Sequence, residues 1–245
     1  MATIKVPATV PSPAEDCDQL RKAFQGWGTN ERLIISILAH RTAAQRRAIR
    51  ATYAEAYGEE LLKSLEDEIS GDFERAVLLW TLDPADRDAQ LANEALRGWD
   101  RSNRVLIEIA CTRHSSELFD AKRAYHLRYK RSLEEDVAKY TTGDFRKDLK
   151  NDRKNEFVAA LRAIVRCTCY PQKYLEKIIR LAIKGQTTDA NSLTRVVTTR
   201  AEVDLKVIEA TYYKKNNVPL EQAIKGETSG DHKKMLIALL GYDDA

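Results

Sequence analysis

The sequence predicts an all-α protein built from repeated five-helix units. Apolar residues recur three and four positions apart, as on one face of a helix, for example at Leu61, Leu65 and Ile69. No segment alternates polar and apolar residues for long enough to form a sheet. The same residues also return at fixed spacings in three places. We therefore expect an array of three recognisable copies of one helical unit.

Four markers define the repeat. In each copy an arginine ends an apolar run, and a tyrosine, a leucine and a Gly-Asp pair follow 12, 20 and 30 residues later. The markers are Arg41, Tyr53, Leu61 and Gly71 in the first copy, Arg113, Tyr125, Leu133 and Gly143 in the second, and Arg200, Tyr212, Leu220 and Gly230 in the last. Periods of this size are typical of helical arrays, in which each unit buries its apolar face against its own helices and its neighbours.

The first copy shows where its helices begin. Ser12, Pro13 and Glu15 predict a capped helix start, with Ser12 as the N-cap and Glu15 closing a capping box. Asp83 and Pro84 restart the pattern as the N-cap and first residue of another helix. The predicted helices of the first copy lie at roughly 13–24, 31–41, 43–57, 60–69 and 73–82.

The spacing of the copies is uneven. Arg41 and Arg113 are 72 residues apart, whereas Arg113 and Arg200 are 87 apart. The excess lies around residues 148–171, where residues 155–161 look like a second closing helix without a four-helix body before it. The expected segments are a tail at 1–11, a first repeat at 12–83, a second at 84–149, the remnant of another at 150–170 and a last repeat at 171–245.

Composition and charge narrow the class of protein. The 40 basic and 37 acidic residues leave a formal charge of +3, which is too balanced for a dedicated nucleic-acid binder. No apolar run approaches the ~20 residues of a membrane span, and residues 1–7 lack the apolar core of a signal peptide. We therefore expect a cytoplasmic protein with reduced cysteines. These are Cys17, Cys111, Cys167 and Cys169.

A glycine-rich loop follows the first predicted helix, with the sequence Phe24-Gln25-Gly26-Trp27-Gly28-Thr29. Glycine permits positive φ, so this loop can turn its carbonyl oxygens inward. A cation such as Ca²⁺ binds six to eight oxygens, including backbone carbonyls and an often bidentate carboxylate. Phe24, Gly26 and Gly28 could supply the carbonyls, and Glu68 the carboxylate. The alternative is a plain helix–helix turn with Glu68 as a solvated residue, and the repeat favours the metal site.

The repeat register identifies the counterparts of this loop. Gly26, Gly28 and Glu68 correspond to Gly98, Asp100 and Tyr140 in the middle copy, and to Gly185, Thr187 and Glu227 in the last copy. Because the middle copy lacks the carboxylate, we expect no site of this type there. The last copy keeps the glutamate, but a β-branched Thr187 at positive φ would be strained. Its loop should therefore bind more weakly or fold differently.

These motifs resemble those of the annexins, particularly the plant annexins. The resemblance is carried by residues 24–31, by Ser70-Gly71-Asp72 and Ser229-Gly230-Asp231, by residues 193–197 and by Leu239-Leu240-Gly241. It covers nearly the whole chain. It implies four five-helix repeats stacked as a curved disc, whose convex face carries calcium loops that dock on acidic phospholipids. Most of the third repeat would be absent here, which would expose apolar surface on the second repeat and invite self-association.

The resemblance also implies the calcium ligands. The first set is Phe24, Gly26, Gly28 and Glu68, and the last set is Ile183, Gly185, Thr187 and Glu227. Such a set leaves room in the Ca²⁺ shell for water or a lipid phosphate, so the ion would bridge loop and membrane. Trp27 at the loop tip, and Trp99 at the same register in the middle copy, are expected to contact the membrane. The expected partners are an acidic phospholipid membrane, a second copy and a cytoskeletal protein, with no nucleic acid.

Two other function classes remain open. One is a helical adaptor whose partner binding ignores calcium. The other is a redox stress protein, because plant annexins are linked to peroxidase-like activity, and His40, Cys111 and Cys167 match positions implicated in redox roles. His40, however, lies at a helix end with no obvious haem ligand set, and both cysteines fit as small buried apolar residues. No catalytic residue is expected.

The three marker arginines are expected to serve structure. Each would pair with the aspartate thirty-one residues later and cap helix carbonyls, giving Arg41 with Asp72, Arg113 with Asp144, and Arg200 with Asp231. Their recurrence in the middle copy, which lacks the metal-binding carboxylate, favours a structural role over a ligand role.

Overall fold

The computed structural model describes residues 1–25, 28–97, 103–140, 164, 167–184 and 187–242. Within them every regular element is an α-helix, which confirms the predicted all-α class. None of these helices is both long enough and apolar enough to cross a bilayer.

The first repeat folds into the five helices that its pattern predicts. Ser12 caps the first helix, because its hydroxyl accepts from the Glu15 N–H at 3.2 Å and its own N–H donates to the Glu15 carboxylate at 2.7 Å. The predicted capping box is therefore confirmed. The helices are α1 (Pro13–Ala23), α2 (Glu31–Leu38), α3 (Ala43–Tyr57), α4 (Leu61–Glu68) and α5 (Gly71–Thr81).

The same helical order returns later in the chain. The predicted helix start at Pro84 is confirmed, and the Asp83 carboxylate accepts from Arg47 Nε at 2.8 Å. The following helices are α6 (Pro84–Arg97), α7 (Asn103–Thr112), α8 (Ser115–Tyr129) and α9 (Leu133–Tyr140). The last five are α10 (Pro171–Ile183), α11 (Ala190–Arg200), α12 (Leu205–Asn216), α13 (Leu220–Glu227) and α14 (Gly230–Leu239).

The chain forms two compact units, one of which is discontinuous in sequence. The first unit joins Met1–Asp83 to Glu176–Ala245, and in it α5 packs against α11 and α14. Trp80 of α5 is fully buried there, and its indole N–H donates to the Leu38 carbonyl at 2.7 Å. The second unit is Pro84–Leu175, in which α6 packs against α7, α8 and α9.

The segment before α1 is bound to the first unit. The Thr3 N–H donates to the Ala201 carbonyl at 2.8 Å, and the Thr3 hydroxyl donates to the Leu239 carbonyl at 2.6 Å. A Cβ on Gly241 would lie 2.1 Å from the Thr3 carbonyl oxygen, so only glycine fits at that position. The first residues are thus held against the ends of α11 and α14.

The predicted partner of Arg41 is wrong. Arg41 binds Asp16 rather than Asp72, through two hydrogen bonds of 2.7 Å from Nε and Nη2. Arg41 and Asp16 are both buried, and Asp16 belongs to α1, which packs against α2. A bidentate pair of this kind fixes the end of α2 against α1.

Arg113 and Arg200 each bind an aspartate that the sequence did not predict. Arg113 repeats the arrangement with Asp88, at 2.7 and 2.8 Å. Arg200 instead donates from Nε to Asp204 at 2.7 Å, one helical turn further on, since Leu175 occupies the position equivalent to Asp16 and Asp88. The predicted pairing of Arg200 with Asp231 is therefore wrong, while Asp144 lies outside the described residues.

Candidate metal sites

Two helices of the first repeat end beside the glycine-rich loop. Phe24 is the C-cap of α1, and Glu68 is the last residue of α4. The last carbonyls of a helix have no partners within the helix and carry partial negative charge. Glu68 is exposed and adds a carboxylate to this end of the repeat. The combined charge and the supply of oxygens favour binding of a hard cation.

Thr29 connects the loop to the carboxylate. Its hydroxyl lies 2.9 Å from Glu68 Oε2 and 3.0 Å from the Glu68 carbonyl oxygen, and it can donate to either. The contact holds the end of α4 beside the residues that follow Gly28. The sequence reasoning did not assign this role to Thr29. A signal for it exists, because the last repeat has Thr188 at the same register.

Gly28 has the backbone conformation that the sequence predicts for this loop. Its φ is +92°, in the left-handed region, and among the described residues other than its chain neighbours no atom lies within 4 Å of the position that a Cβ would take. Glycine is thus needed for the turn of the chain rather than for space. The other predicted residues of this loop, Gly26 and Trp27, lie outside the described residues.

The last repeat reproduces this construction. Ile183 ends α10 and Glu227 ends α13. The Thr188 hydroxyl lies 3.2 Å from the Glu227 carbonyl oxygen and 3.4 Å from its carboxylate, both longer than the Thr29 contacts. The Ile183 side chain is buried and has no ligand atom, so its backbone carbonyl is the group that could bind a cation. Gly185 lies outside the described residues.

Thr187 does not adopt the strained conformation considered for it. Within the described part of the chain, the non-glycine residues with positive φ are Lys130 and Asn217. The last loop therefore turns differently from the first at the position of Gly28. It borders an open cavity of about 520 Å³, whose lining includes Ile183 and Glu227.

In the middle repeat an arginine side chain lies at the corresponding helix ends. Arg97 is the last residue of α6, and Tyr140 is the last residue of α9. Arg97 donates to the Tyr140 hydroxyl, at 2.9 Å from Nη2 and 3.3 Å from Nε. This contact lowers the pKa of Tyr140. Gly98, Trp99 and Asp100 lie outside the described residues.

The described residues contain no group of three or more His, Cys, Asp or Glu side chains placed to hold a metal ion. A cation bound by the part of the chain that the structure describes would therefore depend on backbone oxygens in addition to one carboxylate. This is the ligand chemistry that the sequence predicts for Glu68 and Glu227, and it suits Ca²⁺ better than Zn²⁺.

The residues of the redox alternative differ in burial. His40 is half-buried, and its Nδ1 donates to the Lys5 carbonyl at 2.7 Å. Cys167 is buried and Cys111 half-buried, whereas Cys169 is exposed. Burial raises the pKa of Cys17 to about 11, which keeps this thiol protonated at neutral pH.

Comparison with known proteins points to a single family. The annexin family model matches residues 15–80, 87–151 and 174–239. Annexin Gh1 of Gossypium hirsutum is 49% identical over 312 aligned positions that cover 98% of this chain and 99% of that protein. Annexin D7 of Arabidopsis thaliana is 46% identical over 316 positions that cover all of both chains. Each alignment is longer than the 245 residues of this chain, so both relatives contain an internal segment without a counterpart here.

A solved structure supports the same relationship. The structure of annexin III superposes with a TM-score of 0.89 at 28% sequence identity, covering 99% of this chain and 98% of that one. The all-α fold of this chain is therefore one already known from solved structures.

Proposed function

Because the chain belongs to the annexin family, is of the plant type and lacks most of the third repeat, we propose that it binds acidic phospholipid membranes through calcium. Annexins are known for calcium-dependent phospholipid binding and associate peripherally with membranes. The observation in this chain that carries the proposal is the contact between Thr29 and Glu68, which Thr188 and Glu227 repeat. The proposed repeats are 12–83, 84–149 and 171–245, with 150–170 as the remnant of the third.

The proposed ligands lie at two repeat ends. The first site uses Phe24, Gly26, Gly28 and Glu68, and the second uses Ile183, Gly185, Thr187 and Glu227. The role of this chain is to present carbonyl oxygens and one carboxylate at each helix-end pair. A bound Ca²⁺ would complete its shell with water or a lipid phosphate, which makes binding reversible when the ion is removed. We propose that Trp27 and Trp99 contact the interface beside these sites.

The proposed location follows from this mechanism. The protein would be cytoplasmic at low calcium and peripheral on membranes when calcium rises. Annexins are generally membrane-binding rather than enzymatic. The Nδ1 of His40 donates to the Lys5 carbonyl, and we propose no catalytic residue. A second copy of the chain and a cytoskeletal protein are further proposed partners.

Sedimentation with phosphatidylserine vesicles tests the proposal. The wild-type chain should pellet with vesicles in calcium and return to the supernatant when a chelator is added. Glu68→Gln removes the ligand charge with little change of shape. We expect it to raise the calcium concentration for half-maximal pelleting about tenfold or more, since a carboxylate is central to such sites.

Glu66→Gln is the matched control, because Glu66 is also an exposed glutamate of α4 but lies outside the proposed ligand set. It should leave vesicle binding unchanged. Wild-type binding that is indifferent to calcium would contradict the proposal and favour the adaptor alternative. Equal effects of the two variants would remove Glu68 from the ligand set.

A further inference from the structure

The last repeat has a cavity beside its marker tyrosine, where the other two repeats have a second tyrosine. In the first repeat the ring of Tyr57 packs against Tyr53, with 4.7 Å between the ring centroids, and the equivalent pair of the middle repeat is 4.8 Å apart. The repeat register places Asn216 at the position of Tyr57 in the last repeat. Asn216 and the marker tyrosine Tyr212 both line the open cavity of about 520 Å³. The place of the missing ring is therefore part of this cavity.

Two further residues that line the cavity are smaller than their counterparts. Ala223 corresponds to Ser64 of the first repeat and to Asp136 of the middle repeat, and Gly226 corresponds to Asp67 of the first. Three positions of one wall have thus lost side-chain volume together. The resulting cavity has the size that is usual for a small-molecule site.

The hydroxyl of Tyr212 lacks a partner that its counterparts have. Tyr53 donates to the Ser64 hydroxyl at 3.3 Å, and the tyrosine of the middle repeat donates to a carboxylate at 2.7 Å. Tyr212 is 2% exposed and has Ala223 at that register, and among the residues that the structure describes its hydroxyl has no hydrogen-bond partner. Burial and the Glu176 carboxylate raise the pKa of Tyr212, so the hydroxyl stays protonated. It can therefore donate to an oxygen of a ligand.

A buried carboxylate holds the wall of the cavity in place. Glu176 is fully buried and accepts from two cations, Arg180 and Lys215. It also accepts from the amide nitrogen of Asn216 at 3.5 Å, while the amide oxygen of Asn216 accepts from Lys184 Nζ at 3.0 Å. Because Asn216 is bound at both ends of its amide, its side chain is kept at the wall and the cavity is formed before any ligand binds.

Two lysines of the last repeat stand where the first repeat has no cation. The Tyr57 hydroxyl donates to Asp18 at 2.8 Å, and the register places Lys177 at the position of Asp18. Lys184, which lines the cavity, replaces a glutamine. The Glu227 carboxylate also lines the cavity, but the two lysines outnumber it. This exchange of charge favours an anionic group on the ligand.

We propose that this cavity binds a small aromatic carboxylate. Its ring would lie against Tyr212, in the place that the Tyr57 ring has in the first repeat. Its carboxylate would face Lys177 and Lys184, and one of its oxygens would accept from the Tyr212 hydroxyl. The site goes beyond the proposed membrane function, since it needs neither calcium nor lipid.

Binding of para-hydroxybenzoate to the full chain tests this site, with a chelator present and no lipid. Saturation-transfer NMR should detect the bound probe, with a dissociation constant below about 1 mM, as expected for a ligand of this size. The neutral para-hydroxybenzyl alcohol has the same ring without the charge. It should bind at least about tenfold more weakly, because the lysines favour the anion.

Asn216→Tyr restores the residue that the other repeats have, and it should abolish binding because the added ring fills the cavity. Asn216→Ala is the matched control, since it removes the same hydrogen bonds to Glu176 and Lys184 but leaves the cavity open. It should still bind the probe. Lys184→Gln should weaken binding of the carboxylate about tenfold and leave that of the alcohol unchanged. Lys214→Gln changes an exposed lysine of α12 outside the cavity lining and should alter neither.

Circular dichroism verifies that each variant is folded. A folded wild type that does not bind the probe up to about 10 mM would overturn the proposal. Undiminished binding in Asn216→Tyr, or its loss in both Asn216 variants, would overturn the cavity as the place of binding. Equal affinity for the carboxylate and the alcohol would exclude an anionic ligand. None of these results bears on calcium-dependent vesicle pelleting, which is measured separately.

Discussion

The equivalent helices of the first and middle repeats end beside side chains of opposite charge. In the first repeat, α1 and α4 end beside the exposed carboxylate of Glu68, which Thr29 contacts. In the middle repeat, α6 and α9 end at Arg97 and Tyr140, which contact each other. Helix C-termini favour nearby positive charge in both cases. In the middle repeat a side chain of the protein supplies that charge, and we propose that in the first repeat an ion from solution supplies it.

The largest effect is expected from removing both proposed carboxylates. Glu68→Gln combined with Glu227→Gln should abolish calcium-dependent pelleting with phosphatidylserine vesicles, because no ligand charge remains at either site. Tyr140→Phe is the corresponding change in the middle repeat and should leave the calcium dependence as it is. A large loss on Tyr140→Phe would show that the middle repeat also binds calcium, and the contrast between the repeats would fail.

A smaller effect is expected from Gly28→Ala. The φ of +92° at Gly28 is unfavourable for a side chain, so the loop should shift and the calcium needed for half-maximal vesicle binding should rise several-fold. Gly58→Ala is a matched control, with a φ of +69° and equally open surroundings at the end of α3.

Both glycine variants should lower the free energy of unfolding by about 1 kcal/mol, and Gly28→Ala alone should affect calcium binding. Urea denaturation gives the first quantity and vesicle titration the second. If Gly58→Ala weakened calcium binding as strongly, the effect of Gly28→Ala would reflect stability instead of loop geometry.

The smallest effect concerns the tyrosine of the middle repeat. Hydrogen bonding from Arg97 lowers the pKa of Tyr140, so this phenol should ionise at a lower pH than an ordinary tyrosine. Burial raises the pKa of Tyr125 to about 12, which separates the two titrations. Arg97→Gln should move the Tyr140 titration to higher pH.

The difference in ultraviolet absorbance between the wild type and Tyr140→Phe isolates this titration from the other tyrosines. If Arg97→Gln left the pKa of Tyr140 unchanged, Arg97 would not lie at these helix ends in solution. The middle repeat would then lack the internal cation on which the contrast rests.

Local signals in the sequence predicted much of the fold. Ser12 and Glu15 satisfy each other within four residues, so their capping box could be inferred without tertiary structure. The predicted bounds of α3, 43–57, agree with the structure at both ends. Predicted ends elsewhere differ by up to three residues, as at α2, where Leu38 is the last helical residue.

Contacts between helices were harder to infer. The partner of Arg41 was predicted from an aspartate spacing shared by all three copies, yet Arg41 binds Asp16 in the preceding helix. The correct spacing of 25 residues occurs in two copies and fails at Leu175, so it is less apparent in the sequence than the spacing to the Gly-Asp pair that all three copies share. Thr29 was overlooked for a related reason, since its partner Glu68 is 39 residues away and belongs to another helix.

The bonds of Thr3 have a consequence for synthesis of the protein. Thr3 leaves the ribosome well before its acceptor at Leu239, which is 236 residues further along the chain. At 5–20 residues per second, the interval is on the order of tens of seconds. In the same way, Trp80 of α5 is made 110 residues before α11 begins and 150 residues before α14 begins, whereas Pro84–Leu175 is contiguous. We therefore expect the apolar side of the first repeat to stay exposed until α11 and α14 have been made. Chaperones should bind the nascent chain at that repeat.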